Sequence, residues 1–398
     1  MKVFIKGLNS CGMRRTNVQR YVNFIEANGH ELVPHPDCSD VILLWTCAFR
    51  GDFRDNSMSE IHRYLNEYSA ELIVVGCLPD IDRELLLNEY PGRFIAWRSD
   101  EEPMESFFGA ASRLRDTHID SGEEPLCDDV EKFKKENPSK DVTFVDQFIK
   151  LFVAEGCDFQ CTYCAEILAF PPFRSFPVDD LKNACRKLVQ KSGSTKVMLL
   201  GDCVGDYGKD IGYTLPRLIQ SLREDDSRLT FGLQGFNPSN FLSFFDEMER
   251  MLRAGDIFHM QLPIQSASDA VLKNMKRAYT RDGLVKIFEL LKELNYNAID
   301  THLLIGFPGE TEEDFQTTLD FVLYYKPRYI LVSKYMETPA MPAFHFDQKI
   351  PQAIQDQRLD EAGTRIRAAG LICNTDDSDI SEKRCENMNR IEPVQSVN

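Results

Sequence analysis

Three cysteines, Cys157, Cys161 and Cys164, stand at C-x₃-C-x₂-C within GCDFQCTYC. One short loop can wrap three such thiolates around a single inorganic centre. Soft, closely spaced thiolates suit an iron–sulfur cluster. Three of them leave one iron of a four-iron cluster open to a non-protein ligand. The bland alternatives are zinc and unrelated thiols. Structural zinc prefers four ligands, commonly in paired C-x₂-C or histidine-bearing sets, and no histidine lies near this loop.

Cys11, Cys47 and Cys77 are too far apart for one loop. Yet Cys47 and Cys77 directly follow short apolar runs, in LLWTC and IVVGC, and Cys11 lies three residues beyond another, Val3 to Leu8. If those runs are parallel strands, their ends share one sheet edge, where ligands collect. The alternative is that small apolar thiols simply fill the top of the sheet.

The elements that must position these residues follow from hydrophobic patterning. The runs at 3–8, 41–45 and 72–75 are short and rich in Val and Ile, which reads as strand. A helix over 16–28 is closed by Gly29. Alternating strands and helices imply a parallel sheet covered on both faces, so residues 1–97 form a small doubly wound domain. Residues 98–145 read as an acidic linker with one short helix near Met104 to Leu114. Six further runs, at 150–154, 196–200, 229–233, 258–263, 298–305 and 329–333, alternate with helical stretches. They predict a partial (β/α)6 TIM-type barrel over 146–370, with its active site at the C-terminal strand ends. Residues 351–369 form a closing helix and 371–398 a polar tail. The fold class is α/β.

Twelve cysteines sit in a chain of 398 residues with a net charge of −17. The opening MKVFIKGLNS reads as a strand rather than a signal peptide. No apolar run nears the roughly 20 residues a bilayer needs. A cytoplasmic location with no membrane partner is expected, where thiols stay reduced and serve metals or redox chemistry. An acidic chain has no sequence-wide electrostatic reason to bind a phosphate backbone.

The pattern C-x₃-C-x-aromatic-C, with Tyr163 as the aromatic, resembles the radical SAM superfamily. NSCG, WTCAF and GCLP resemble the three cysteine motifs of the methylthiotransferase N-terminal domain. LLGDCVGDYGKD, LPIQSASDAVLKNMKRAYT and LLIGFPGETEEDF are similar to barrel segments of the same family, and Tyr335 with Thr338-Pro339-Ala340 to its final strand motif. The likeness covers about 1–97 and 146–369.

The resemblance implies two [4Fe–4S] clusters and S-adenosylmethionine. Cys157, Cys161 and Cys164 would hold the radical-generating cluster, and Cys11, Cys47 and Cys77 an auxiliary cluster that carries or donates sulfur. One use of S-adenosylmethionine would methylate cluster-bound sulfur. The other would make the radical that abstracts a substrate hydrogen. Cofactor contacts are expected at Tyr163, Gly201, Asp202, Gln265, Ser266, Gly306, Pro308 and Gly309, the last three as a tight turn of close backbone approach. An external electron donor of flavodoxin or ferredoxin type is implied.

The sequence departs from that family in three places. The family usually continues into a small basic β-barrel that grips tRNA or protein, and here the chain stops about 30 residues after the closing helix. The two arginines expected after Cys164 are replaced by Phe170 and Phe176, with Arg174 as a substitute. Asp202-Cys203 stands for Gln-Asn, and Ser10, Arg14 and Asn17 alter the surroundings of Cys11. An atypical branch is expected, acting on a peptide, a protein or a small metabolite, with tRNA disfavoured.

Cys203 and His302 are catalytic candidates at strand positions, weighed against a neutral replacement and a core histidine. Cys373 and Cys385 are expected as idle surface thiols of the tail, and Cys185 as core. Cys38 and Cys127 suggest nothing specific. The expected reaction is insertion of sulfur or a methylthio group at a C–H bond. Its rivals are a radical SAM enzyme of other outcome with the auxiliary cluster as electron relay, a tRNA methylthiotransferase, and a non-catalytic iron–sulfur module.

Overall fold

The computed structural model describes residues 1–8, 12–49, 51–109, 111–117 and 148–375, with backbone only at 12–16 and 52. Cys11, Ser10, Cys127 and Cys385 lie outside the described residues, as do most of the expected linker and the tail beyond 375. The chain divides into two compact units: Met1–Glu131 with Glu155–Asp158 and Cys164–Arg174, and Lys132–Ala154 with Phe159–Tyr163 and Ser175–Asn398.

In the first unit, β1 (Lys2–Gly7), β2 (Glu31–Leu32), β3 (Val41–Thr46), β4 (Glu71–Gly76) and β5 (Arg93–Phe94) form a parallel sheet in the order β2-β1-β3-β4-β5. Strand period two serves both faces. Val3, Leu43, Trp45, Ile73 and Val75 enter one core with α1 (Gly12–Ala27). Phe4, Ile42, Leu44, Leu72 and Val74 enter the other with α2 (Gly51–Glu67). The chain then passes through α3 (Leu78–Ile81), α4 (Arg83–Glu89) and α5 (Glu101–Phe108).

The unit runs further than the expected boundary at 97. Met104, Phe108 and Leu114 are 0–3% exposed within its first core, because apolar side chains of the nominal linker cover a sheet face still open at residue 97.

In the second unit β6 (Ile149–Glu155), β8 (Lys196–Gly201), β9 (Thr230–Leu233), β10 (Ile257–Gln261), β11 (Ile299–Ile305) and β12 (Tyr329–Lys334) lie side by side and parallel, as the six apolar runs foretold. The two-residue β7 (Arg174–Ser175) flanks β6. α6 (Glu166–Ala169) precedes β7 and α7 (Val178–Ser192) follows it, α8 (Leu215–Asp225) follows β8, α9 (Pro238–Ser243) and α10 (Phe245–Arg253) follow β9, α11 (Asp269–Asn274) and α12 (Arg281–Glu293) follow β10, α13 (Glu312–Tyr325) follows β11, and α14 (Gln352–Ala368) is the expected closing helix. The polar tail, however, begins with β13 (Ile372–Thr375), paired parallel to β12. Cys373 is therefore not a surface thiol: it is 5% exposed, and burial pushes its pKa up to about 11. A four-residue run among polar neighbours carries too little periodicity to be read as a strand.

Candidate functional site

Within the N-terminal unit, the sheet order is the one whose topological switch point lies between β1 and β3. The segments after those strands carry Cys11 and Cys47. Cys47 follows β3 directly and is 8% exposed. Ser57 of α2 holds its backbone at both ends, accepting from the Cys47 amide at 3.1 Å and donating to its carbonyl at 2.8 Å. Cys77 follows β4, and its amide donates to the carbonyl of Thr46 at 3.0 Å. Gly76 adopts φ +93, and a Cβ there would run into the Thr46 backbone. The two thiol positions thus end neighbouring strands, in register at Thr46 and Gly76.

The same unit takes up both flanks of the second cysteine loop. Arg20 of α1, 4% exposed, donates to Glu155 at 3.0 Å and to the Leu114 carbonyl at 2.9 Å. Arg174 donates to the other oxygen of Glu155 at 2.7 Å. Arg98 donates to the carbonyls of Ile167 and Phe170, at 2.9 and 3.1 Å. Phe170 packs edge-on to Trp97 at 6.0 Å, and Cys157 packs against the core that holds Cys77. Of the two phenylalanines that depart from the family pattern, Phe170 is thus a core residue, while Phe176 is partly exposed. Arg174, the expected substitute, is committed to Glu155.

In the barrel unit Cys161 is 6% exposed. Arg277 donates to its sulfur at 3.4 Å and to the Tyr163 hydroxyl at 3.3 Å. The Tyr163 ring stands 6.5 Å from Phe307, in a cluster with Met275, Tyr335 and Phe346. Thr162 is tied down by its amide to Met275 (3.2 Å) and its hydroxyl to Asn274 (2.9 Å).

The other expected residues separate into two groups. Gly201 is required by packing, since a Cβ would meet the Ala154 carbonyl at 2.9 Å. Asp202, next in line, is partly exposed. Gln265 sits at φ +62, a conformation few L-residues adopt, and bonds through its backbone to His302 and Leu304 of β11. His302 and Leu304 occupy the partly exposed face of β11, opposite Thr301, Leu303 and Ile305. Gln261 lies 3.2 Å from the His302 ring.

Structural partners account for the rest. Ser266, expected at the cofactor, is 1% exposed and its hydroxyl meets Thr318 of α13 at 3.0 Å. At Gly306 the space of a Cβ is filled by Gln355 of α14, so the close approach there is to a side chain of this chain. The Gly306 amide donates to Glu310 at 2.7 Å, and Gly309 beyond the buried Pro308 donates to Gln348 at 2.7 Å. Cys203 is 2% exposed, 3.6 Å from Asn240. Cys185 is core, as expected.

Sequence reading missed Arg20, Arg98, Glu155 and Arg277, whose partners are distant in the chain. Only KNMKRAYT, already singled out as a motif, could have flagged one of them. Among the described residues no three His, Cys, Asp or Glu side chains gather around a single-ion position. The donor set of soft thiols beside a guanidinium fits an anionic iron–sulfur centre.

The radical SAM superfamily matches residues 151–322, and the uncharacterized protein family UPF0004 matches residues 2–96. A probable threonylcarbamoyladenosine tRNA methylthiotransferase of Pyrococcus horikoshii is 26% identical, over 87% of this chain and 80% of the relative. The human threonylcarbamoyladenosine tRNA methylthiotransferase is 28% identical over 87% of this chain, which spans 59% of that relative's length. A ribosomal protein uS12 methylthiotransferase, RimO, of Clostridium tetani is 27% identical over 88% of this chain and 78% of the relative. Among solved structures, the radical S-adenosylmethionine methyltransferase TsrM of Kitasatospora setae shares the fold at TM-score 0.63 and 13% identity, covering 86% of this chain and 77% of its own. Two domain matches in tandem, with these relatives along most of the chain, support membership of the radical SAM methylthiotransferase family.

Proposed function

We propose that this enzyme binds S-adenosylmethionine and two [4Fe–4S] clusters and inserts sulfur or a methylthio group into an unactivated C–H bond of a peptide, a protein or a small metabolite. Cys157, Cys161 and Cys164 would hold one cluster, and Cys11, Cys47 and Cys77 the other. Bound together, these groups supply one-electron cleavage of a sulfonium and a source of sulfur.

The chain's own part is to bind, orient and exclude water. Tyr163 and Phe307 offer an apolar wall for a nucleoside. Gln265, with its strained backbone between β10 and β11, and His302 beside it offer polar contacts for cofactor or substrate. Cys203, enclosed at 2% exposure, is left outside the proposed chemistry.

The observation that carries this reading is the placing of Cys47 and Cys77 at adjacent strand ends, beside the switch point where such sheets bind ligands. The test is anaerobic reconstitution followed by reduction with S-adenosylmethionine present. About eight irons per chain, release of 5′-deoxyadenosine and a product heavier by S or SCH₃ are expected. About four irons, or cleavage without a mass gain, would favour an enzyme using at most an electron relay. No cleavage at all would leave a binding module.

The names of the relatives favour a second reading, a tRNA substrate. The net charge of −17 opposes it. Tight binding of purified tRNA that weakens steeply with salt would decide for it.

A further inference from the structure

We propose that Arg277 is a positioning residue of the radical-generating cluster, a cation that eases entry of the electron by hydrogen bonding to a ligand sulfur. The proposal rests on the reading of Cys157, Cys161 and Cys164 as that cluster's ligands. Arg277 donates through Nη1 to Cys161 Sγ (3.4 Å) and Tyr163 Oη (3.3 Å), through Nη2 to the Pro263 carbonyl (3.1 Å), and through Nε to Tyr279 Oη (2.8 Å). These partners are a thiol, two phenols and a carbonyl.

Arg277 is partly buried, and among the described residues Arg20, Arg328 and Arg358 each face a carboxylate, Glu155, Asp300 and Glu310 in turn. A guanidinium keeps its proton at any ordinary pH, and withdrawing it from water without an anion is costly. The anion nearest to Arg277 Nη1 is the sulfur of Cys161, a thiolate once it ligates iron.

Its placement is not incidental. Thr162 donates to the carbonyls of Asn274 and Met275, which locks the turn that ends in Arg277 onto the residue next to Cys161. Within that turn Lys276 takes φ +56, a conformation side chains rarely adopt and whose strain something else must offset.

Reduction adds one electron, from a low-potential one-electron donor, and makes the cluster one charge more negative. A fixed cation and hydrogen bonds to sulfur favour the reduced form and raise the potential.

The test is an EPR-monitored dithionite titration of the reconstituted full chain, following the signal that changes when S-adenosylmethionine is added. Arg277→Gln should make reduction less favourable by about tenfold, which is about 59 mV for one electron. Arg277→Lys, which keeps the charge, should stay within about threefold of the unaltered protein. Tyr279→Phe frees one guanidinium bond and should shift the potential in the same direction by less. Arg277→Gln with full iron and an unchanged potential overturns the proposal. So does an unchanged potential with weakened S-adenosylmethionine binding, which would make Arg277 a cofactor contact. If Arg277→Gln loses its iron, an unchanged Tyr279→Phe potential overturns it instead. Failure of the unaltered chain to hold iron overturns the cluster reading and this proposal together.

Discussion

At the scale of the residue, Glu310 sets how the GFPGE turn responds to pH. It is 2% exposed, accepts from the Gly306 amide and from Arg358, and burial, outweighing both partners, pushes its pKa up to about 7. The folded value lies above the ordinary value of about 4.3. Its contribution to stability is therefore full below pH 4.3 and is lost as pH rises through about 7, by up to about 1.4 kcal/mol per pH unit for one proton. Glu310→Gln keeps an oxygen for both donors. Its stability should fall by one proton less across that window, measured by urea unfolding at pH 4.5 and 7.5. The thiols give a second prediction. Cys47→Ser or Cys77→Ser should each remove about four irons per chain and leave the S-adenosylmethionine-responsive EPR signal in place. Loss of that signal instead would mean one shared centre.

At the scale of the element, the segment after Cys164 is held within the N-terminal unit by Arg98, by Trp97 and by the pair of Arg174 with Glu155. Arg98→Ala leaves the Ile167 and Phe170 carbonyls without their donor. Hydrogen exchange over residues 164–174 should quicken while β8 to β12 stay protected; exchange there unchanged from the unaltered protein would show the contact to be idle. Phe170 is 5% exposed against Trp97, and Phe170→Ala should destabilise its unit by about 3–5 kcal/mol. Restoring an arginine at 170 should cost at least as much, because it would bury an unpaired charge. This explains why Phe170 and its expected substitute Arg174 read poorly in sequence. Each looks like a changed cofactor contact until its neighbours, Trp97 and Glu155, are known.

At the scale of the whole molecule, both tryptophans, Trp45 and Trp97, lie in the first core of the N-terminal unit. Their fluorescence reports that unit, whereas far-ultraviolet circular dichroism reports both. Phe170→Ala should move the fluorescence transition. Phe315→Ala, at a position 1% exposed on α13, should move the dichroism transition and leave fluorescence where it was. Coincident shifts in both variants would mean that the two units unfold as one.

The parallel strands, the helix closed by Gly29 and the strand-end placing of Cys47 and Cys77 were legible because each is written locally. Period-two apolar runs, a glycine after a helical stretch and thiols at short or strand-end spacing need no partner to be recognised. The domain edge beyond Leu114, the strand around Cys373, the burial of Phe170 and the partners of Arg20, Arg98 and Arg277 were decided by tertiary structure alone. Each depends on which distant side chain shares a buried volume, and the cost of leaving a charge or an apolar face uncovered has no signature along the chain.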